Sequence, residues 1–331
     1  MVMNNSSKKI VVTGADGFIG SHLCEALVKK GYEVKALCMY NSFSHAGWLE
    51  DSEFKTQLEI CFFDVRDFSR VEELFSGTDI VFHLASLIGI PYSYLAAESY
   101  IQTNVLGTLN VCKSVIKNDI SHLIQTSTSE VYGSALYVPI DEKHPFQAQS
   151  PYSASKISAD AIAYSFYSSS DLPLTIARPF NTFGPRQSLR AVIPTIISQL
   201  ANKEIKKLIL GNLTTKRDFN FVDNTVEGLI SILDLNPAGE TFNIGSGHAI
   251  TIRSLYELIS KTMNISKEIE SNPDRMRPVN SEVHELQADI HKLTSHTGFL
   301  PKIDLESGLL KTISWYTNKE NLLNHSSKYA I

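Results

Sequence analysis

The chain contains 331 residues, 43% of them hydrophobic, and carries a formal net charge of −5. This length supports one large hydrophobic core or two linked cores. No basic run is longer than two residues, so nothing indicates a nucleic-acid or polyanion partner, and we expect a soluble globular protein.

Neither a targeting segment nor a metal site is expected. Residues 1–9 lack the apolar stretch of a signal peptide, and no apolar run approaches the ~18 residues that a membrane span needs. The cysteines have no C-x-x-C spacing and fall in or beside apolar segments, at Cys24, Cys38, Cys61 and Cys112. This pattern is typical of buried thiols in a reducing compartment, so the sequence predicts a cytoplasmic protein without disulfides or zinc.

The first predicted elements are a strand, a glycine turn and a helix. Lys9–Thr13 is apolar and precedes glycines at positions 14, 17 and 20 and a helical apolar pattern over 23–28. Glycines in this place let the backbone turn tightly and approach a pyrophosphate, whose charge a helix N-terminus stabilises. The spacing is G-x-x-G-x-x-G rather than the G-x-G-x-x-G of ordinary dinucleotide folds. We therefore predict a dinucleotide site at this turn.

Six further apolar segments are predicted as strands, with helix-like segments between most of them. They are Glu33–Met39, Leu58–Phe63, Ile80–Ala85, His122–Thr126, Leu174–Arg178 and Glu240–Ile244. The alternation predicts an α/β fold with a doubly wound parallel sheet of the Rossmann type, whose ligands bind beyond the carboxyl ends of the strands. We predict a cofactor domain of residues 1–184 and 217–250, and a smaller, discontinuous C-terminal substrate lobe of residues 185–216 and 251–331.

The end of the second strand bears on the choice of cofactor. Leu37–Ser42 offers neither an acidic residue for a ribose diol nor an arginine for a 2′-phosphate. Because no cation is available there, the sequence favours NAD, and NADP stays open.

Two later segments carry the chemistry. The segment Thr126–Gly133 begins at the last residue of the fifth strand, and Tyr152 stands four residues before Lys156. Residues four apart share one face of a helix, so we expect Lys156 to lower the pKa of Tyr152 and to make it a base near neutrality. Glu130 adds a carboxylate beside this pair.

These motifs resemble those of the extended short-chain dehydrogenases that act on nucleotide sugars. The resemblance covers nearly the whole chain and rests on Thr13–Gly20, Asp64–Asp67, His83–Ser86, Asn104, the Tyr152/Lys156 pair, Arg178–Arg186 and Arg217–Phe219. Within that family, Leu87–Tyr94 and Ser127–Gly133 are most similar to the 4,6-dehydratases of the legionaminic-acid pathway, which act on UDP- or GDP-linked N-acetylglucosamine.

The resemblance implies three groups of site residues. Cofactor contacts are expected at Gly14, Asp16, Gly17, Phe18, Ile19, Gly20, Asn41, Ser42, Asp64, Val65, Leu84, Ala85, Ser86, Asn104, Tyr152 and Lys156. Substrate contacts are expected at Asn181, Val192, Arg186, Arg217 and Arg277, because guanidinium forks suit the oxygens of a diphosphate. Catalytic roles fall to Ser127, Thr128, Ser129, Glu130, Tyr152 and Lys156.

In the implied reaction, Tyr152 takes the proton of the C4 hydroxyl while the nicotinamide takes the hydride, and Thr128 and Ser127 bond the C4 oxygen. The 4-ketone acidifies the C5 hydrogen, which Glu130 removes; the C6 hydroxyl leaves as water and the hydride returns to C6. The product is a 4-keto-6-deoxy sugar, with no net redox change. Ser129 stands where dTDP-glucose dehydratases carry an aspartate assigned as the acid for the C6 hydroxyl, so Glu130 would also deliver that proton, through Ser129 or a water.

Three other functions stay open. UDP-glucuronate decarboxylases keep the same Ser-Thr-Ser-Glu segment and differ by an arginine for the sugar carboxylate. Nucleotide-sugar 4-epimerases share the cofactor residues but need no C5 base, so Glu130 argues against them. Dinucleotide sensors of this fold typically lack the tyrosine or the lysine, and both are present here.

The catalytic helix also predicts a homodimer. Over 151–167 the apolar residues surround most of the helix, at Ile157, Ala161, Ile162, Ala163, Tyr164 and Phe166. The segment after Asn104 has a similarly broad apolar face, with Val105, Leu106, Leu109, Val111, Val115 and Ile116. Because such helices are usually buried on several sides, two from each subunit would form a four-helix interface. The alternative is that the C-terminal lobe covers these faces within one monomer.

Overall fold

The computed structural model describes residues 8–235, 239–272 and 275–318. Most of the segment examined for a signal peptide, residues 1–7, lies outside this part. The described strands are β1 (Lys9–Thr13), β2 (Glu33–Met39), β3 (Leu58–Phe63), β4 (Ile80–His83), β5 (His122–Thr126), β6 (Leu174–Pro179), β7 (Asn181–Phe183), β8 (Lys207–Leu210), β9 (Lys216–Phe221), β10 (Glu240–Ile244), β11 (Ala249–Thr251), β12 (Glu268–Ser271) and β13 (Glu285–Leu286). The described helices are α1 (Phe18–Lys29), α2 (Phe68–Phe75), α3 (Ile90–Ser93), α4 (Ala97–Tyr100), α5 (Gly107–Lys117), α6 (Pro151–Ser170), α7 (Val192–Ala201), α8 (Val222–Ser231), α9 (Ile252–Met263), α10 (His291–Thr297) and α11 (Leu305–Thr317). A π-helical stretch, Ile101–Leu106, leads into α5.

Seven of the strands form one parallel sheet. Their order is β3-β2-β1-β4-β5-β6-β10. The order reverses between β1 and β4, so the sheet is doubly wound and the carboxyl ends of its strands share one edge. The predicted α/β fold is confirmed.

Both faces of the sheet are covered, which explains why its strands are apolar without alternation. In β1, Ile10 and Val12 belong to a first core, which also includes residues of α1 and α8. Val11 points to the opposite side and belongs to a second core with residues of α2, α5 and α6. The helices thereby hold the strand ends in fixed positions around the site.

Most of the predicted strand limits agree with the structure, and two differ slightly. β4 ends at His83 rather than at Ala85, because the Thr13 hydroxyl at the end of β1 accepts the next two backbone N–H groups, each at 3.1 Å. β6 extends to Pro179, one residue beyond the prediction, since Pro179 pairs with the last residue of β10. The return of β10 to the large sheet agrees with the prediction.

Later segments build smaller elements. β9 pairs with β7, β11 and β13 in a second sheet, and β8 pairs with β12 in a parallel ribbon. All of β9 but its first residue falls within the range predicted for the cofactor domain, yet its partners are the strands of the small sheet. The limits of the two domains stay a prediction.

Within the described ranges, no helix is long and apolar enough to cross a membrane. The thiols of Cys24, Cys38 and Cys112 are buried and that of Cys61 is half-buried, and all four are free. The same ranges contain no group of three or more His, Cys, Asp or Glu residues that could hold a metal ion.

Candidate active site

The glycine turn between β1 and α1 is too tight for larger residues. Gly14 has a φ of +68°, and a Cβ on it would lie 2.9 Å from the backbone nitrogen of Ala85. A Cβ on Gly20 would lie 2.1 Å from the carbonyl oxygen of Gly14. Only glycines therefore let the turn, the start of α1 and the end of β4 meet so closely.

The start of α1 is open toward this turn. Gly17 precedes the helix, and no side chain caps it. The helix N-terminus, formed by Phe18, Ile19 and Gly20, therefore presents main-chain N–H groups and a positive dipole end to an anion. The close glycine contacts and the uncapped helix together fit the pyrophosphate of a dinucleotide.

Asn104 fixes the loop after β4 to the catalytic helix. Its Oδ1 accepts the N–H of Leu87 at 2.8 Å, and its Nδ2 donates to the Leu87 carbonyl at 3.0 Å and to Ser155 Oγ at 2.9 Å. Asn104 lies in the π-helical stretch, a feature that is frequent at functional sites. The first part of the loop holds three predicted cofactor residues, half-buried Leu84, Ala85 and Ser86.

Four more predicted cofactor residues follow β2 and β3, and two of them have side chains engaged locally. Asn41 Oδ1 accepts two backbone N–H groups of its own loop. Asp64 binds the Arg66 guanidinium at 2.5 Å, and this hydrogen bond holds the Asp64 pKa below its usual range. Ser42 is exposed and Val65 is buried.

The catalytic helix α6 begins with a strong N-terminal signal. Ser150 and Ser153 form a capping box in which each hydroxyl accepts the other's backbone N–H at 3.0 Å, and Pro151 occupies the first helical position. This start directs Tyr152 and Lys156 to the buried face of the helix, where they are 7% and 4% exposed.

The end of β5 meets this face of α6. The Lys156 ammonium donates to the carbonyl of Thr126 at 2.7 Å. The Thr128 hydroxyl hydrogen-bonds the Tyr152 phenol. The structure therefore brings together the tyrosine, the lysine and the threonine that the sequence predicts to act on the C4 hydroxyl.

The acidity of this pair differs from the prediction. Burial raises the pKa of Tyr152, the Thr128 hydrogen bond opposes the rise, and the charge of Glu130 adds to it. Burial lowers the pKa of Lys156 to about 8, with Asp160 opposing. The expectation of a lowered Tyr152 pKa is wrong for this structure, because the phenol is buried and the ammonium is bound to a main-chain carbonyl.

Glu130 is a buried carboxylate held by a guanidinium. It lies in a short 3₁₀ turn, Ser129–Tyr132, and its N–H donates to the Thr128 hydroxyl at 3.2 Å. Arg277 donates two hydrogen bonds to the carboxylate, at 3.1 and 3.3 Å. Burial favours the neutral acid, but the charges of Arg277 and Arg217 outweigh it and lower the Glu130 pKa. Glu130 is therefore ionised at neutral pH.

Arg217 is buried beside this ion pair. Its Nη1 donates to the carbonyl of Lys216 at 2.9 Å, and its Nη2 lies 3.8 Å from the Glu282 carboxylate. Two of the three arginines predicted for the diphosphate therefore gather around Glu130, and one of them, Arg277, is bound to it.

The other predicted substrate residues have different surroundings. Arg186 donates to Glu25 at 2.9 Å and to Ser21 at 3.2 Å, so its guanidinium is directed to α1 rather than to Glu130. Asn181 in β7 has a buried Oδ1 without a hydrogen-bond partner in the described chain. Such an acceptor suits a donor group of a ligand. Val192, the first residue of α7, is half-buried against the first core.

A buried ion pair behind the catalytic residues was not predicted. Asp160 accepts hydrogen bonds from Arg178 at 3.1 Å and from Ser127 Oγ at 2.8 Å, and Arg178 also donates to the Tyr132 hydroxyl. Because Ser127 gives its only hydroxyl proton to Asp160, it can offer a substrate oxygen no hydrogen bond in this arrangement. The signal in the sequence was that Asp160 follows Lys156 by four residues on one helix face.

The similarity to known proteins covers nearly the whole chain. The family model described as GDP-mannose 4,6 dehydratase matches residues 11–312. A mouse (Mus musculus) dTDP-D-glucose 4,6-dehydratase is 31% identical over 321 residues, which cover 94% of this chain and 89% of the mouse protein. A UDP-N-acetyl-alpha-D-glucosaminuronate decarboxylase of Bacillus cytotoxicus is 31% identical, covering 95% and 99%. The crystal structure of a dTDP-glucose 4,6-dehydratase from Streptomyces venezuelae with NAD bound is 26% identical, covers 95% of this chain and 98% of that one, and superposes with a TM-score of 0.86.

Proposed function

Because the chain belongs to the GDP-mannose 4,6-dehydratase family of nucleotide-sugar enzymes, we propose that it is a 4,6-dehydratase of UDP- or GDP-linked N-acetylglucosamine. The observation that carries the reaction type is the ionised Glu130 beside the buried Tyr152. Tyr152 is suited to remove a hydroxyl proton, and Glu130 is suited to remove a carbon-bound proton. A reaction of oxidation followed by elimination requires both groups.

The cofactor is NAD, as in the solved Streptomyces venezuelae dehydratase. When bound, NAD supplies the acceptor for the hydride of C4 and returns that hydride at C6. The glycine turn and the start of α1 hold its pyrophosphate, and Asn104 positions the loop beside it. The other proposed contacts are Asp16, Asn41, Ser42, Asp64, Val65, Leu84, Ala85, Ser86, Tyr152 and Lys156.

Tyr152 takes the proton of the C4 hydroxyl. The hydrogen bond from Thr128 favours the phenolate and opposes the effect of burial. Thr128 has a single hydroxyl proton, so it bonds the C4 oxygen by turning that proton from the phenol to the sugar when the substrate binds. Ser127 remains bound to Asp160, so its role is to position the end of β5 rather than to donate to the sugar.

Glu130 then removes the C5 proton, which the new 4-ketone has acidified. Its protonated carboxyl returns that proton to the C6 oxygen, directly or through buried Ser129, and the C–O bond breaks to release water. Arg277 keeps Glu130 ionised before this step. The proton taken from C5 leaves with the C6 hydroxyl as water. When the hydride adds to C6, a proton adds to C5, and the proton that Tyr152 gained from the C4 hydroxyl balances it, so the proton count closes.

The diphosphate binds to cations on the later half of the chain. Arg217 and Arg277 are the first candidates because they gather around Glu130, and the free Oδ1 of Asn181 can accept a sugar or base donor. Arg186 and Val192 are proposed for the outer part of the nucleotide. When substrate binds, Arg277 shares its hydrogen bonds between phosphate and Glu130.

An N-acetylated sugar is supported by two observations. The Leu87–Tyr94 and Ser127–Gly133 segments resemble those of the legionaminic-acid dehydratases. A relative of equal identity, the decarboxylase of Bacillus cytotoxicus, acts on a UDP-linked N-acetylated sugar acid by its name. That relative also makes decarboxylation the second candidate, since the Ser-Thr-Ser-Glu segment is common to both reactions.

Mass spectrometry of nucleotide sugars incubated with the protein tests the proposal. We expect loss of water from UDP- or GDP-N-acetylglucosamine, without added oxidant. Loss of carbon dioxide from the corresponding uronic acid would establish the decarboxylase instead, and a product of unchanged mass with inverted C4 would establish an epimerase. With substrate deuterated at C4, we expect deuterium in the new methyl group; label lost to solvent would contradict internal hydride return.

The enzyme is proposed to be a homodimer built on α5 and α6. Several apolar side chains of these helices and the π-helical stretch remain open in the monomer, including Leu106 at 40% and Tyr164 at 50% exposure, and Ala161 is exposed. The described part of the C-terminal lobe does not cover them. Ala161→Glu combined with Ile162→Glu should yield a monomer or an aggregate in sedimentation; a wild-type monomer at micromolar concentration would refute the interface.

A further inference from the structure

The glycine turn contains a carboxylate, Asp16, whereas the end of the second strand contains none. Asp16 stands between Gly14 and Gly17, and its carboxylate accepts hydrogen bonds from its own N–H and from the N–H of Met39, the last residue of β2. The Asp16 carbonyl accepts the Trp48 N–H at 3.2 Å. Asp16 therefore joins the turn to the end of β2.

The backbone on the far side closes over Asp16. Gly47 has a φ of +56°, and a Cβ on it would lie 2.4 Å from the Asp16 carbonyl oxygen and 2.8 Å from the Asp16 Cβ. The Asp16 side chain is therefore confined, yet the residue is only half-buried, so one side remains open.

The local charge is uncompensated. Burial raises the Asp16 pKa, the two backbone N–H groups lower it, and no lysine or arginine of the described chain contributes. In dinucleotide folds, the adenosine ribose lies at the end of the second strand, where a carboxylate bonds its 2′-hydroxyl and an arginine accommodates a 2′-phosphate. Leu37–Ser42 contains neither.

We propose that Asp16 is the residue that makes this protein select NAD over NADP. Its carboxylate takes the place of the acidic residue missing from β2, accepts a hydrogen bond from the ribose hydroxyl, and repels a 2′-phosphate. This inference deepens the proposed function, because it rests on a dinucleotide bound at the glycine turn.

The test measures binding and does not depend on turnover. The dinucleotide released from the purified protein on denaturation is identified by mass spectrometry, and calorimetric titrations of NAD⁺ and NADP⁺ into the stripped protein follow. Wild type should prefer NAD⁺. Asp16→Asn keeps an acceptor for the Met39 N–H but removes the charge, so NADP⁺ should bind about tenfold tighter or more, whereas NAD⁺ affinity should change only a few-fold.

Two further variants sharpen the result. Adding Tyr40→Arg to Asp16→Asn places a cation at a position that is 68% exposed just beyond β2, and should raise NADP⁺ affinity again. Asp51→Asn removes the same charge from an exposed position and should leave the preference unchanged. If Asp16→Asn misfolds, its thermal unfolding reveals it, and Asp16→Ser, which also removes the charge, then decides.

The outcomes separate this inference from the proposed function. Equal wild-type affinity for NAD⁺ and NADP⁺, or an unchanged ratio in Asp16→Asn and the double variant, would overturn the role of Asp16 and leave the dehydratase proposal standing. Absence of any dinucleotide binding by wild type would remove the proposed cofactor itself.

Discussion

Main chain forms one region of the site, and charged side chains form another. The cofactor cradle, which we define as Gly14, Gly17, Gly20 and the start of α1, is almost entirely main chain and depends on missing side chains. The charged pocket, which we define as Glu130, Arg217, Arg277 and Glu282, consists of four buried or half-buried charged side chains in two ion pairs. The difference teaches that the cradle should respond to volume and the pocket to charge and pH.

The largest expected effect is in the pocket. Glu130→Gln keeps the shape of the side chain but removes the base, so dehydration should fall by roughly 10²–10⁴-fold, while the reduced cofactor still forms on substrate. Tyr152→Phe should stop the earlier step, and no reduced cofactor should accumulate. Absorbance of the reduced cofactor and mass spectrometry of the product measure the two steps separately.

A matched control lies in the same pocket. Glu282→Gln removes a carboxylate that faces Arg217 at 3.8 Å and makes no contact with Tyr152. It should change the rate far less than Glu130→Gln does. Equal losses in both variants would mean that the pocket needs its net charge rather than a particular base, and near-normal dehydration by Glu130→Gln would remove Glu130 from its role.

The next largest effect tests the cradle by volume alone. Gly20→Ala adds a methyl group 2.1 Å from the Gly14 carbonyl oxygen, so the turn must shift at a cost of about 1–3 kcal/mol or more. NAD⁺ affinity in calorimetry should fall by roughly tenfold or more. Gly89→Ala, whose methyl group would meet ordinary contacts at 3.5 Å, serves as the control and should retain NAD⁺ binding. Unchanged affinity in Gly20→Ala would show that the cradle tolerates volume.

The cradle was also the more predictable region, because its signals are local in sequence. The strand limits follow from short apolar runs, the turn follows from the spacing of its glycines, and the Tyr152/Lys156 pair follows from four-residue helical spacing. The same signals do not indicate which side chains already form hydrogen bonds within the protein. Asn41 and Asp64 bind groups of their own loops, which their positions after β2 and β3 do not reveal.

The charged pocket was less predictable because its members are distant in sequence. Arg277 and Arg186 are both arginines of the later half, yet one binds Glu130 and the other binds Glu25 on α1. Only the packing of their segments in the folded chain distinguishes them. The raised pKa of Tyr152 likewise depends on burial, which a helical spacing rule does not include.

The smallest expected effect is a shift in pH dependence. Glu130 acts as a base only when ionised, so activity falls as the pH falls through its pKa, which Arg277 and Arg217 hold below the usual 4.5 against the opposing effect of burial. Arg277→Gln removes one of these charges, and the acid limb of kcat should move to higher pH by about one to two units. Arg277→Lys keeps the charge, so its acid limb should lie close to the wild-type pH. Arg186→Gln removes an arginine that contacts α1, so the acid limb should not shift. An acid limb that does not move in Arg277→Gln would mean that the charged pocket does not set the ionisation of the base. The cradle could still be sensitive to volume, but the pocket would not be sensitive to charge in the way we propose.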